Sequence, residues 1–187
     1  MAALSEPSVV RTERRTRPAA ATRRLGERLG RMLRPGDVVA LVGDLGAGKT
    51  QLARGICRGA GVADGEISSP TFAIVATYRG RVPVHHADLY RVGDADELHA
   101  TGFQDLLGGE GVAVVEWADR IPDALPEERL EIALTPVAGD PAARDLVVTG
   151  RGERHAALAR ALAPRGGGTS RRGRAVRRGP ASGRAVR

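Results

Sequence analysis

"DVVALVGDLGAGKT", residues 37–50, joins a continuous apolar run to a glycine-rich turn that ends in lysine and threonine. The run at 37–42 has the length and unbroken apolar character of a strand buried on both faces, as in a parallel sheet. The turn fits G-x-x-x-x-G-K-[ST], a phosphate-binding loop that follows a strand and opens a helix. Gly43, Gly46 and Gly48 let backbone N–H groups turn inward, where a Cβ would block close approach of phosphate oxygens. Asp44, Leu45 and Ala47 supply the rest of that backbone, and the helix opening at Lys49 and Thr50 favours an anion at its N-terminus. Leu52, Ile56 and Ala60 then fall on one helical face, and "GAG" (59–61) ends the helix. An ordinary glycine-rich turn is the alternative reading, but it leaves the lysine unexplained. Of 29 Lys and Arg residues, Lys49 is the one lysine. A compact ammonium on a flexible stem reaches β and γ phosphates where a planar guanidinium is too wide.

The 187 residues suit one domain, and 42% hydrophobic content is enough for a core, which aliphatic side chains must fill because aromatics make up only 3%. The formal charge of +7 invites a nucleic-acid reading, but it is unevenly placed. Residues 1–36 carry nine Arg against three acids and residues 164–187 eight Arg against none, whereas 37–163 hold 12 basic and 19 acidic residues. The folded part is therefore acidic. Residues 1–18 read as a flexible segment, 19–163 as the domain, and 164–187 as a disordered Arg/Gly-rich tail without apolar periodicity. Within the domain, Leu25, Leu29, Met32 and Leu33 repeat at helical spacing. No charged-then-apolar leader opens the sequence and no apolar run approaches 18 residues, so the expected location is the cytoplasm. The lone Cys57 reads as a small packed residue on the loop helix.

A phosphate loop calls for a metal site and a group that positions water, both normally acids at the C-terminal ends of parallel strands. "RVPVHHADLYR" (81–91) reads as a strand ending near Asp88, and "GVAVVEWADR" (111–120) as a buried strand ending at Glu116. Each acid follows an apolar run, which favours an inward placement over a plain strand-end acid. His85 and His86 point to opposite strand faces, which argues against a bidentate metal pair. "ISSPTFAIVATY" (67–78) reads as a Ser/Thr-rich loop leading into a strand. "DADELHATGFQDLL" (94–107) reads as an amphipathic helix, "RLEIALTPV" (129–137) and "RDLVVTGRG" (144–152) as late antiparallel strands, and 153–163 as a final helix. The fold class is α/β: a P-loop NTPase-like sheet with a mostly parallel core and antiparallel late strands, flanked by helices.

Four stretches in order, "GDLGAGKT", "SPTF", "HADLYR" and "VEWADR", with "LGERLG" near the front, resemble the TsaE family over about residues 19–160. These are the small P-loop ATPases of bacterial tRNA threonylcarbamoyladenosine biosynthesis. The resemblance implies ATP and Mg2+ as ligands and TsaB and TsaD as partners, with tRNA reached through that complex. It implies phosphate contacts by Lys49 and the loop amides, Mg2+ on Thr50 and Glu116, Thr71 facing the γ-phosphate, and Asp88 assisting hydrolysis. Arg144 is assigned to the adenine side, and Trp117 matches the family pattern without an assigned role. The basic tail lies outside the resemblance and would touch RNA weakly and non-specifically. A GTPase needs an Asn-Lys-x-Asp motif, for which no lysine remains. A P-loop small-molecule kinase and a nucleotide-gated binding module are the rival readings.

Overall fold

The computed structural model describes residues 8–67 and 73–164. Along the chain run β1 (Val9–Thr16), α1 (Ala19–Gly30), β2 (Val38–Val42), α2 (Lys49–Gly59), β3 (Val75–Tyr78), β4 (Val84–Asp88), α3 (Ala95–Ala100), β5 (Val112–Glu116), β6 (Leu130–Val137), β7 (Asp140–Arg151) and α4 (Glu153–Leu162). Among the described residues the seven strands form one sheet in the order β1-β7-β6-β2-β5-β4-β3. Strand β2 lies at its centre between β5 and β6, parallel to both, and β4 continues the parallel set beside β5. The edges are antiparallel: β3 on β4, and β7 on β6 with β1 beyond it.

Side-chain alternation divides the apolar residues of the central strands into two cores. Val39, Leu41, Val112, Val114 and Val84 pack with α1 and α2, while Ala40, Val115 and Ala87 pack on the other face with Leu98 and Phe103. Helices α1 and α2 meet through two interlocked glycine pairs. A Cβ on Gly26 would overlap Leu52 O, one on Gly30 would overlap Ile56 O, one on Gly55 Arg23 O, and one on Gly59 Glu27 O. The "LGERLG" stretch is therefore half of a close backbone-to-backbone crossing, which fixes α2 and the loop that precedes it. Cys57 is fully buried here, and burial pushes its thiol up to about 12, so it is a packing residue.

Three expectations are corrected. Residues 9–16 are not a flexible segment: they pair along their full length with β7, from Val9 opposite Arg151 to Thr16 opposite Arg144. The exposed face of that strand carries Arg and Glu, so its apolar content is too low to announce it. The stretch 94–107 is not one helix, because Gly102 takes φ +70° between α3 and a 3₁₀ turn at Phe103–Leu106. Strand β6 is antiparallel to β7 but parallel to β2, so it belongs to the parallel core as well as to the late hairpin. The sequence-based tail lies, from residue 165 onward, outside the described residues.

Candidate nucleotide site

The loop between β2 and α2 emerges at the C-terminal end of the parallel strands. Gly43, Gly46 and Gly48 take φ of +138°, +77° and +107°, the left-handed range that side chains resist. Gly43 also lies against β6, where a Cβ would overlap Leu134 O. Ala47 is buried under the loop, while Leu45 is 78% exposed at its tip. Gly48 is the N-terminal cap of α2 and no side chain caps that helix, so its first N–H groups are left for a ligand.

Lys49 is buried at the base of the loop. Its Nζ donates to Gly43 O at 2.6 Å and Asp44 O at 2.9 Å, and stands 3.4 Å from the centroid of the Trp117 ring. Burial lowers the ammonium pKa below its ordinary value, while the charges of Glu116, Asp119, Asp88 and Asp44 work in the opposite direction. The ammonium is thus held among several acids in a shielded place.

Strands β4 and β5 pair with Asp88 opposite Glu116, so the two acids share one sheet face, the face that carries α2. Both are buried. Thr50 Oγ1 donates to Glu116 Oε2 at 2.8 Å, while the other carboxylate oxygen, Oε1, is 2.9 Å from His86 Nε2. Asp88 Oδ1 accepts from the Tyr90 N–H at 3.0 Å. Among the described residues, two non-glycine residues have positive φ, Ile74 at 60° and Trp117 at 59°. Each adjoins one of the acids: Ile74 O accepts from Asp88 N, and Trp117 follows Glu116. Strain of this kind gathers where a site is pre-shaped. Between loop and acids opens a cleft of about 400 Å³, lined by Leu45, Gly46, Gly48, Lys49, Thr50, Asp88, Tyr90, Glu116 and Trp117.

The structure therefore brings together the loop, Lys49, Thr50, Asp88 and Glu116. Thr71 lies outside the described residues. Arg144 is on β7 and reaches the loop: its Nε donates to Ala47 O at 2.8 Å and a terminal nitrogen to Gly46 O at 3.2 Å. The other terminal nitrogen donates to Pro141 O and Ala143 O, each at 2.7 Å. These bonds tie the Arg144 guanidinium to carbonyls of the loop and of its own strand. Sequence reasoning missed His86 and Tyr90 and gave Trp117 no part. His86 was legible, since it lies two residues before Asp88 in a strand and so shares its face.

The donor set suits a magnesium nucleotide. A hydroxyl and a carboxylate are the hard oxygen donors Mg2+ takes, and a magnesium nucleotide site needs only one or two protein oxygens beside phosphates and water. The glycine cradle beneath a capless helix suits phosphate.

Comparison with known proteins gives the family. The family model described as "Threonylcarbamoyl adenosine biosynthesis protein TsaE" matches residues 16–144. The tRNA threonylcarbamoyladenosine biosynthesis protein TsaE of Treponema pallidum is 41% identical over 123 residues, 66% of this chain and 90% of that protein. Its namesake from Streptomyces coelicolor is 42% identical over 140 residues, 72% and 93% of the two chains. The crystal structure of YdiB from Bacillus subtilis superposes with a TM-score of 0.68 at 34% identity, covering 83% of this chain and 95% of that one. With its loop, acids and strand order accounted for, the chain belongs to the TsaE family of threonylcarbamoyl adenosine biosynthesis proteins.

Proposed function

We propose that this protein is the Mg2+-dependent ATPase of tRNA threonylcarbamoyladenosine biosynthesis, working with TsaB and TsaD and reaching tRNA through that assembly. The observation that carries the reading is the contact of Thr50 with Glu116 at 2.8 Å beside the buried Lys49. A hydroxyl, a carboxylate and an ammonium gathered beside the loop support a reading in which a triphosphate binds there.

The loop N–H groups and Lys49 bind the β and γ phosphates, and Arg144 keeps the loop carbonyls turned away from them. Thr50 and Glu116 would hold the metal, which would supply neutralisation of the charge on the phosphates. Asp88, one strand over and on the same face, orients the attacking water and accepts its proton. Trp117 covers one side of the ammonium and keeps water from it. Thr71 is assigned to the γ-phosphate on the family resemblance. The proposed location is the cytoplasm, on the family reading that the chain acts on tRNA modification; among the described residues no helix is long and apolar enough to cross a membrane.

The test is a reconstituted mixture of this protein, TsaB, TsaD, tRNA and the threonylcarbamoyl donor, assayed for multiple turnovers of modified adenosine. Turnover should require ATP, Mg2+ and this chain, and the chain alone should hydrolyse ATP more slowly than in the mixture. Multiple turnovers supported equally by a non-hydrolysable ATP analogue would make the protein a nucleotide-gated binding module instead.

A further inference from the structure

We infer that His86 is a positioning residue that holds the Glu116 carboxylate in the orientation needed for metal binding. This rests on the assignment of Glu116 and Thr50 to Mg2+ given above. The imidazole is 0% exposed and Glu116 1% exposed, so neither is oriented by solvent. Glu116 has two carboxylate oxygens with separate tasks. Oε1 is taken by His86 Nε2 at 2.9 Å, and Oε2 faces Thr50 Oγ1 at 2.8 Å.

The arrangement also selects a tautomer. His86 Nδ1 is buried without a hydrogen-bond partner among the described residues, and the Tyr78 ring lies 6.3 Å away between centroids. A proton on Nδ1 would be a buried donor with no acceptor, and the Nε2 lone pair would then face a carboxylate lone pair. A proton on Nε2 satisfies the carboxylate and leaves only an acceptor unpaired, the cheaper defect. His86 therefore presents a fixed N–H to Glu116.

Strand register explains why the ring can do this. His86 lies two residues before Asp88 on β4, and Asp88 pairs with Glu116 on β5, so the imidazole reaches Glu116 diagonally across one face. Its neighbour His85 points the other way and is 3.0 Å from Thr77 Oγ1, outside the cleft. The two adjacent histidines thus have unrelated surroundings. A carboxylate free to rotate would divide its time among rotamers and lose affinity for the cation, an effect that removal of such outer partners typically shows as about 10–100-fold in metal affinity.

The experiment compares amides of different reach in the full-length protein. In His86→Gln the amide nitrogen extends about as far as Nε2, whereas in His86→Asn it stops near Nδ1. Binding of a fluorescent ATP analogue is titrated with Mg2+, and separately measured without metal. His86→Asn should raise the Mg2+ concentration for half-maximal effect by about 10-fold or more, leave metal-free nucleotide affinity unchanged, and have no further effect when Glu116 is already Gln. His86→Gln should stay within a few-fold of wild type, and His85→Gln should match wild type. His86→Leu replaces the Asn variant in the same titration should the latter not melt cooperatively. If Glu116→Gln shifts the Mg2+ dependence but His86→Asn and His86→Leu do not, the positioning role is refuted and the metal assignment stands. If Glu116→Gln itself shifts nothing, the metal assignment falls and this inference with it. Equal losses in His86→Gln and His86→Asn would also refute it, since they would show a packing role without the hydrogen bond.

Discussion

Replacing Gly30 by alanine would set two physical effects against each other, with opposite signs. In a helix interior alanine is favoured over glycine by about 0.8–1.0 kcal/mol, so propensity alone predicts a more stable protein. The crossing of α1 and α2 predicts the reverse. A Cβ on Gly30 would overlap Ile56 O and stand 2.8 Å from Ala60 N and 2.9 Å from Gly59 C, inside the 3.0 Å that Cβ atoms essentially never breach. All three are backbone atoms, so no rotamer change relieves them, and the helices must part by roughly 1 Å to restore ordinary contacts. Such overpacking costs about 1–3 kcal/mol, and with rigid neighbours the upper end applies, leaving a net loss of about 2 kcal/mol. For a chain of this size that lowers the melting temperature by about 4–8 °C. The same shift moves the start of α2, so nucleotide affinity should fall with stability, because Thr50 is only 2.8 Å from Glu116. Thermal melting with and without MgATP is the assay. Gly65→Ala is the control, since a Cβ there meets nothing within 4 Å and the change should stay within about 0.5 kcal/mol. A Gly30→Ala protein that melts at or above the wild-type temperature would refute the interlocked crossing.

Four further outcomes are expected. Lys49→Arg should weaken ATP binding by about tenfold or more despite keeping the charge, because the carbonyls of Gly43 and Asp44 at 2.6 and 2.9 Å and the Trp117 face enclose a point-like ammonium; equilibrium titration checks it. Asp88→Asn should leave nucleotide affinity intact and slow hydrolysis by about 10²–10⁴, while Glu116→Gln should raise the Mg2+ requirement for binding; identical profiles for the two variants would overturn the division of roles. Burial, aided by Arg154 and opposed by Asp37, holds His155 below its ordinary pKa of 6.5. The unfolded chain therefore takes up that proton first, and stability should be full above about pH 6.5 and decline as pH falls from there towards the folded value. Melting curves between pH 7.5 and 5 should show the decline, and His155→Gln should flatten it. Truncation after Ala163 should leave the melting temperature and ATP binding unchanged, because α4 ends at Leu162, with Arg14 and Arg28 donating to the carbonyls of Leu162 and Ala161. The truncated protein should bind RNA less well at low salt only, as filter binding at two salt concentrations would show.

The loop and the two acids were legible in the sequence because each rests on a local pattern. An apolar run of strand length ends at Gly43, another at Asp88 and a third at Glu116, and a chemistry-bearing residue at the end of a buried parallel strand points to one edge of the sheet. The one lysine among 29 strong cations marked the phosphate position for the same reason, as an exception visible without any neighbour in space. Tertiary structure decided the rest, where the cause lies in contacts between distant segments. Val9–Thr16 became a strand because β7 offered it a full edge to pair with, not because its own residues call for one. Gly26 and Gly30 read as weak points in a helix until Gly55 and Gly59 are set against them. The direction of Arg144, towards loop carbonyls, and the bond from His86 to Glu116 depend on strand register across β7, β6, β2, β5 and β4, which residue spacing along one chain segment does not specify.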